Sequence, residues 1–336
     1  MKRHRKKLIY SMLFALILMV SGILAWFSFR YSDTEIMRCT AVIEIKSYDE
    51  ISIDGHPKLF VGNINSASSL AHATTIKDSL HKNVRFNAGF WINRCMILPS
   101  CQGHVVTAGI PSPLARSNDS AVTNHVIRQL KTIFTAHHDS LISIADELNY
   151  YLRVHGVQDE GFHTISQYAA KLRHEQQRTD SVLAVIKRLT AQSKITIHRR
   201  TTYTLLYYGN GQTPQRIAAK LIRRNDKDKL ALLQTVDQHT PDGICAVNLL
   251  PWHQPIMTVV KTVSHPGLAL QLASPDSICP GNITGIYRQG RVYGLPKLLV
   301  ADGSPLFSAN GIYIGTLSGG QLISRSRVTQ LSEKAK

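Results

Sequence analysis

Apolar and polar residues run, alternate and recur in clearly separated parts of this 336-residue chain. Residues 8–29 carry no charged side chain and follow Lys2, Arg3, Arg5, Lys6 and Lys7. That length is close to the roughly 20 residues a helix needs to cross a bilayer. Residues 40–46 alternate in the manner of a half-buried strand, and 57–61, 84–92 and 104–108 read as further strands. Between them, 66–81 reads as helical or irregular, with Leu70, Ile76 and Leu80 as its apolar positions.

The period changes near residue 118. Val122, Val126, Leu130, Ile133, Leu141, Ile144, Leu148 and Leu152 recur at helical spacing. Residues 156–161 break the pattern, and Thr164-Ile165-Ser166-Gln167 has the form of a capping box. Ile165, Tyr168, Leu172, Val182, Val185 and Leu189 then continue a second stripe, so 118–192 predicts a long antiparallel helical hairpin. Strands resume at 195–198 and 202–208, turning at Gly209-Asn210-Gly211, with 217–222 and 230–234 after them. Pro241, Gly243 and Pro251 mark a crossing to a second strand-rich half. There 282–287 and 312–317 read as strands and 302–307 as a tight turn feeding a strand, with Asn310-Gly311 as a two-residue hairpin turn. Residues 288–296 read as a loop and 323–336 as a short terminal helix.

The stretch 300–320, VADGSPLFSANGIYIGTLSGG, resembles the nucleophile segment of trypsin-like (chymotrypsin-fold) serine proteases, especially their HtrA-like branch. In that family G-[DN]-S-G-[GS]-P-L precedes a G-x-[VI]-[VI]-G hairpin. Gly303-Ser304-Pro305-Leu306 and 311–315 match, but Asp302 stands where the nucleophilic serine belongs. Val300 and Ala301 replace the glycine and the Asp or Asn before it. Residues 86–110 resemble the first-barrel signature G-x-G-x-x-I followed by V-[LV]-T-A-A-H, with Gly89-Phe90-Trp91-Ile92 and Val105-Val106-Thr107-Ala108 in place. The resemblance assigns the catalytic histidine position to Ile110, and the aspartate at the head of D-[IL]-A-L-[LI] to Lys229, before Leu230-Ala231-Leu232-Leu233. Ser264-His265-Pro266-Gly267 and 282–287 resemble further elements of the second barrel. The helical hairpin has no counterpart in the family pattern.

The chemistry of the triad fails separately at each position. Ile110 has no imidazole to accept and return a proton. Lys229 would repel an imidazolium, and a carboxylate at 302 does not form the acyl-enzyme that a serine forms. Val300 occupies the oxyanion-hole position, where a β-branched residue resists the backbone conformation that aims the N–H. His104, Asp228 and Ser304 serve as an alternative triad only through register slips of six, one and two residues.

Composition narrows the class. Apolar residues make up 43% and charged residues 18%, ordinary for a globular protein. The net charge is +17; five positive charges precede the apolar run and the remainder is thinly spread, so no nucleic-acid partner is expected. Two readings of 8–29 stand: a retained signal-anchor, and a cleaved signal peptide. The length of the run, its continuation through Trp26-Phe27 and the lack of an A-x-A site favour the anchor. Basic residues ahead of it orient the N-terminus to the cytoplasm and the rest outside. Five cysteines leave connectivity open. Cys95 and Cys101 bracket one turn and form a possible disulfide in an extracytoplasmic domain. No C-x-x-C pair exists, and His125, His137, His138, His155, His163 and His174 lack a ligand spacing, so neither metal nor cofactor is expected.

Together these observations predict a mainly β, trypsin-like double β-barrel with an N-terminal transmembrane helix and an inserted α-helical hairpin. The expected layout is a basic tail (1–7), an anchor (8–29), the first barrel in two parts (30–117 and 194–247) around the hairpin (118–193), the second barrel (248–322), and a terminal helix or tail (323–336). The function expected of it is a single-pass membrane pseudoprotease, facing the periplasm or another extracytoplasmic space, that binds protein partners or itself through the hairpin. Two rivals follow from other features: an active membrane-anchored endopeptidase with a non-standard site, and a structural assembly module built on the hairpin.

Overall fold

A computed structural model describes residues 30–93, 102–110, 120–190, 192–209, 213–249, 256–265, 268 and 281–333, with Met12, Phe14, Leu16, Ile17 and Met19 upstream. The rest of the expected anchor (8–29) and the Cys95–Cys101 pair lie outside the described residues. Among the described residues no helix is long and apolar enough to cross a membrane.

Among the described residues, fourteen strands and five α-helices are distributed over two units. The first unit comprises residues 1–45, 85–112 and 202–336. The strands form an eight-stranded and a six-stranded sheet, and without one strand at each end of the former, both are six-stranded and barrel-like. The first sheet joins β1 (Thr40–Ile53), β3 (Asn83–Asn93), β4 (His104–Ala108), β5 (Ile195–Tyr207), β6 (Gln215–Asn225) and β7 (Leu230–Thr235). Their order is β1-β5-β6-β7-β4-β3, and a further β1–β3 pairing closes the ring. β2 (His56–Val61) and the two-residue β8 (Val247–Asn248) flank it. The second sheet has the order β11-β10-β9-β12-β13-β14. Its strands are β9 (Met257–Ser264), β10 (Gly281–Arg288), β11 (Arg291–Tyr293), β12 (Pro305–Ser308), β13 (Tyr313–Ser318) and β14 (Gln321–Ser324), and its end strands β11 and β14 lie against each other. Numbered within each sheet, both run 3-2-1-4-5-6, so each holds a fourth strand returning beside the first, a Greek key.

Each sheet has its own interior. Ile43, Ile45, Trp91, Val105, Leu205 and Leu233 fill the first, and Val260, Tyr287, Leu306, Ile314 and Leu317 the second. A third cluster joins their outer faces through Phe90, Val106, Leu232, Phe307 and Tyr313. Val106 and Leu232 from one side and Val263 from the other are fully buried, and β4 and β7, buried along nearly their whole length, read as continuous apolar runs rather than alternating ones. Helices α1 (Asp33–Arg38) and α5 (Arg325–Glu333) extend this cluster with Ile36, Val328 and Leu331. A capping box made by Ser32 and Glu35 starts α1.

The second unit holds residues 46–84 and 113–201. Its helices are α2 (Ala67–Ala71), α3 (Ser120–Val154) and α4 (Phe162–Lys187). The expected hairpin is present, although α4 begins two residues before Thr164, with Gly161 at φ 85° as its N-cap and no side-chain cap. Val126, Leu130, Phe134, Val182 and Ile186 pack with Ile51, Leu59, Val61 and Ile197 into one core. Arg178 donates to the carbonyls of Ala71 and Ala73, pairs with Glu175, and lies over the Phe134 ring.

The strands differ from the sequence expectation where charge is concerned. β1 does not stop at 46, and β5 runs unbroken through Arg199-Arg200-Thr201. Both continue because the arginines meet carboxylates on β1. Arg199 donates from Nε and Nη2 to the fully buried Asp49 at 2.7 and 2.8 Å, and Arg200 to Glu50 at 3.2 and 3.3 Å. Asp49 also accepts from the Ile64 N–H at 2.9 Å. The hairpin at Asn310-Gly311 is looser than two residues, since Ser308 N–H reaches the Ile312 carbonyl and Gly311 N–H the Ser308 carbonyl. β9, β11 and β14 fall in stretches that carried no strand expectation.

Removing one partner of a buried bidentate pair strands the other charge, at a cost of about 3–5 kcal/mol. Asp49→Ala is therefore expected to destabilise the second unit by that amount. Urea unfolding followed by helical circular dichroism measures it, and a loss below about 1 kcal/mol would show the pair to be dispensable.

Candidate functional site

The turn Ala301-Asp302-Gly303 enters β12 and meets the first sheet through its backbone. Gly303 has φ 94°, and a Cβ there would lie 2.0 Å from the Ala88 carbonyl oxygen, so only glycine fits. The Ala88 N–H donates to the Asp302 carbonyl at 3.2 Å, while Thr107 Oγ1 donates to the Ala88 carbonyl at 2.6 Å. Next to them Asn87 Nδ2 donates to the Ala108 carbonyl at 2.7 Å. The Gly109 N–H donates to the Lys229 carbonyl at 3.0 Å. A Cβ on Gly109 would sit 3.7 Å from both Cβ and Oδ2 of Asp302. The backbone segments at 109, 229 and 302 are thus neighbours.

Their side chains do not form a constellation. Ile110 is 6% exposed and packs with Trp91 and Val105 in the first sheet's interior. Lys229 is exposed and held at φ 54°, in the left-handed region. Asp302 Oδ1 accepts from the Gly319 N–H at 2.9 Å. Among the described residues no ion pair joins Asp302 to Lys229. At the oxyanion position, the Val300 N–H donates to the Pro296 carbonyl at 3.1 Å, and its side chain is buried with Leu306 and Leu317.

The register-slipped alternatives are equally separated by geometry. Ser304 is fully buried, and its Oγ has no hydrogen-bond partner among the described residues. Asp228 pairs with Arg327 at 2.7 Å and accepts from Asn225 Nδ2 at 2.8 Å. His104 lies on β4 opposite Gln234 of β7.

What the turn does line is a cleft of about 410 Å³. Its walls include Phe86, Asn87, Leu295, Lys297, Val300 and Asp302, with Gly319 and Gly320 at one side. Neither Ile110 nor Lys229 belongs to its lining. Neither Lys297 nor Asn87 is marked in the sequence, because an exposed lysine in a loop and a strand asparagine carry no spacing signal. Of the expected positions, Asp302 and Val300 are the two that face it.

Behind the cleft sits His265, 2% exposed, with Nδ1 unpartnered among the described residues. Its N–H donates to the Leu299 carbonyl at 2.8 Å, and its carbonyl accepts from Leu268, a cleft residue. Burial pushes its pKa down from 6.5 to about 4.

No family model matches this chain, and no curated protein does. Among solved structures it is similar to the crystal structure of Deg5, at 11% identity and a TM-score of 0.37, over 89% of this chain and 88% of that one. A likeness at that level carries no argument about fold or function. What the strand orders themselves define is a mainly β protein of two barrel-like sheets and five helices among the described residues, an arrangement consistent with a trypsin-like double barrel.

His265 makes stability depend on pH in a defined sense. Between pH 6.5 and about 4 the unfolded chain binds a proton that the folded chain refuses, so stability falls as pH drops through that window. The full effect is about 3 kcal/mol at about 1.4 kcal/mol per pKa unit. His265→Leu is expected to flatten that part of the profile. Urea titrations at stepped pH test it, and an unchanged slope in the variant would rule out His265 as its source.

Proposed function

We propose that this chain is a membrane-tethered, non-catalytic relative of trypsin-like proteases that binds protein outside the cytoplasm. The observation that carries the reading is the meeting of three triad-position segments with Ile110, Lys229 and Asp302 in place of histidine, aspartate and serine. A protease frame with that occupancy lacks a base, a nucleophile and a free oxyanion donor at once. The engagement of the Val300 N–H by Pro296 supports the same conclusion from the backbone. Tethering is supported by the uncharged run 8–29 and the basic residues before it.

Protein binding is assigned to the helical hairpin. Tyr150, Val154 and Val157 are 67%, 57% and 78% exposed, a concentration of apolar surface around its turn. Clustered exposed apolar side chains of this kind mark interaction surfaces.

The chain is expected not to label with a fluorophosphonate probe and not to hydrolyse casein above background. Ile110→His, Lys229→Asp and Asp302→Ser combined are expected to remain inactive, because the Val300 N–H stays engaged. Labelling that disappears in Ser304→Ala would overturn the reading in favour of an endopeptidase.

For the hairpin, the combined change Tyr150→Ser, Val154→Ser and Val157→Ser is expected to reduce crosslinked partner recovery from intact membranes several-fold, with the helical circular dichroism unchanged. Full recovery by that variant would move the binding surface away from the hairpin turn.

A further inference from the structure

The outer face of the second sheet is built in cross-strand rows. Paired residues on adjacent strands share a face, so Val263 with Asn282, Lys261 with Thr284, Val259 with Ile286 and Tyr293, and Met257 with Arg288 and Arg291 stand one behind another. The first row is covered, because Val263 is buried in the cluster that contains Ile36 of α1. The second is tied to the start of the same helix. Lys261 Nζ pairs with Asp33 at 2.9 Å, and neighbouring Asn282 Nδ2 donates to the Asp33 carbonyl at 3.2 Å.

Beyond α1 the face is bare and apolar. Val259, Ile286 and Tyr293 are 48%, 47% and 51% exposed, and Met257 is 63% exposed. A shallow depression is lined by Met257, Ile286, Arg288, Gln289, Arg291 and Tyr293. Arg288 and Arg291 flank the turn at Gln289-Gly290, both exposed, and neither has a carboxylate partner among the described residues. Aliphatic side chains, a tyrosine and paired arginines on one surface match the requirements of a bilayer interface with anionic headgroups.

The chain itself indicates which occupant lies there. Tyr31 is fixed to this face, its N–H donating to the Gly311 carbonyl at 2.9 Å and its ring meeting Phe307 edge-on at 5.5 Å. Gly311 has φ 75° and permits that approach, since a Cβ would lie 2.1 Å from the Tyr31 carbonyl oxygen. Phe307 pairs with Lys261 and so belongs to the same row as Thr284. The uncharged run 8–29 ends one residue before Arg30, directly upstream of this docking point. From Lys261 to Val259 is two residues along the strand, about 7 Å. A bilayer holding 8–29 therefore begins close to the exposed row.

We propose that the outer face of β9, β10 and β11 is a peripheral membrane contact. Val259, Ile286, Tyr293 and Met257 enter the interfacial layer, and Arg288 and Arg291 meet anionic lipid headgroups. The proposal rests on the reading of 8–29 as an anchor, and it adds a second contact that fixes how the domain lies on the surface.

The test uses the full chain in nanodiscs of phosphatidylcholine, with and without phosphatidylglycerol, each doped with a photoactivatable phospholipid. Crosslinked residues are mapped by mass spectrometry. Adducts are expected in 8–29 and also in the peptides covering Met257–Ser264 and Gly281–Arg288, the latter increasing with phosphatidylglycerol. The exposed-site variant Val259→Asp with Ile286→Asp is expected to lose the sheet adducts several-fold and keep those in 8–29. Arg288→Glu with Arg291→Glu is expected to lose the dependence on phosphatidylglycerol. Adducts confined to 8–29 in both lipids would overturn the proposal and leave the anchor standing. Adducts at neither place would remove the anchor and the proposal with it. Crosslinks from Tyr293 to a second copy of the chain, in place of lipid, would make this a self-association face and also overturn it.

Discussion

The seam between the two sheets depends on a backbone approach that no side chain could survive. At Gly303 the chain passes so close to the Ala88 carbonyl that a Cβ would overlap its oxygen. The Ala88 N–H binds the Asp302 carbonyl on one side, and the Ala88 carbonyl takes the Thr107 hydroxyl on the other. That contact fixes where β12 begins, and through it the cleft and the burial of Phe307, Tyr313 and Phe90 between the sheets.

This constraint accounts for the glycines and the apolar residues around the turn. Gly303, Pro305 and Leu306 occupy positions demanded by packing, and so does Gly311, whose close approach seats Tyr31. None of those demands involves a proton transfer. The residues that the family resemblance singles out are placed by local structure: Ile110 completes an apolar interior, Asp302 caps the Gly319 N–H, and Val300 adds to the second sheet's core.

The second unit follows a different logic. Its hairpin packs an apolar stripe, as its periodicity requires, but its sheet edge depends on charge. Asp49 is fully buried and offset by a two-pronged arginine and a backbone N–H, an arrangement that tolerates the burial of a carboxylate because each oxygen is engaged. The same pairing carries β1 and β5 through polar stretches that would otherwise end a strand.

Residue pattern alone determined the elements whose signal is local. The hairpin at 118–192 was legible from its period, the strands at 84–92, 104–108 and 230–234 from their apolar runs, and the motif positions 303–306 and 311–315 from their glycines and following apolar residues. The carboxylate–arginine pairs were not legible, since Asp49 and Arg199 are 150 residues apart and neither carries a spacing signal. The cleft residues Lys297 and Asn87 were hidden for the same reason, as was the outer-face row of Val259, Ile286 and Tyr293, which exists only when three strands are in register. The sequence could assign Ile110 to a triad position, but the direction of its side chain, inward to the first sheet's core, was decided by the tertiary packing. Local periodicity fixes which residues share a face of one element; which faces meet, and what they bury, is settled only when distant segments are brought together.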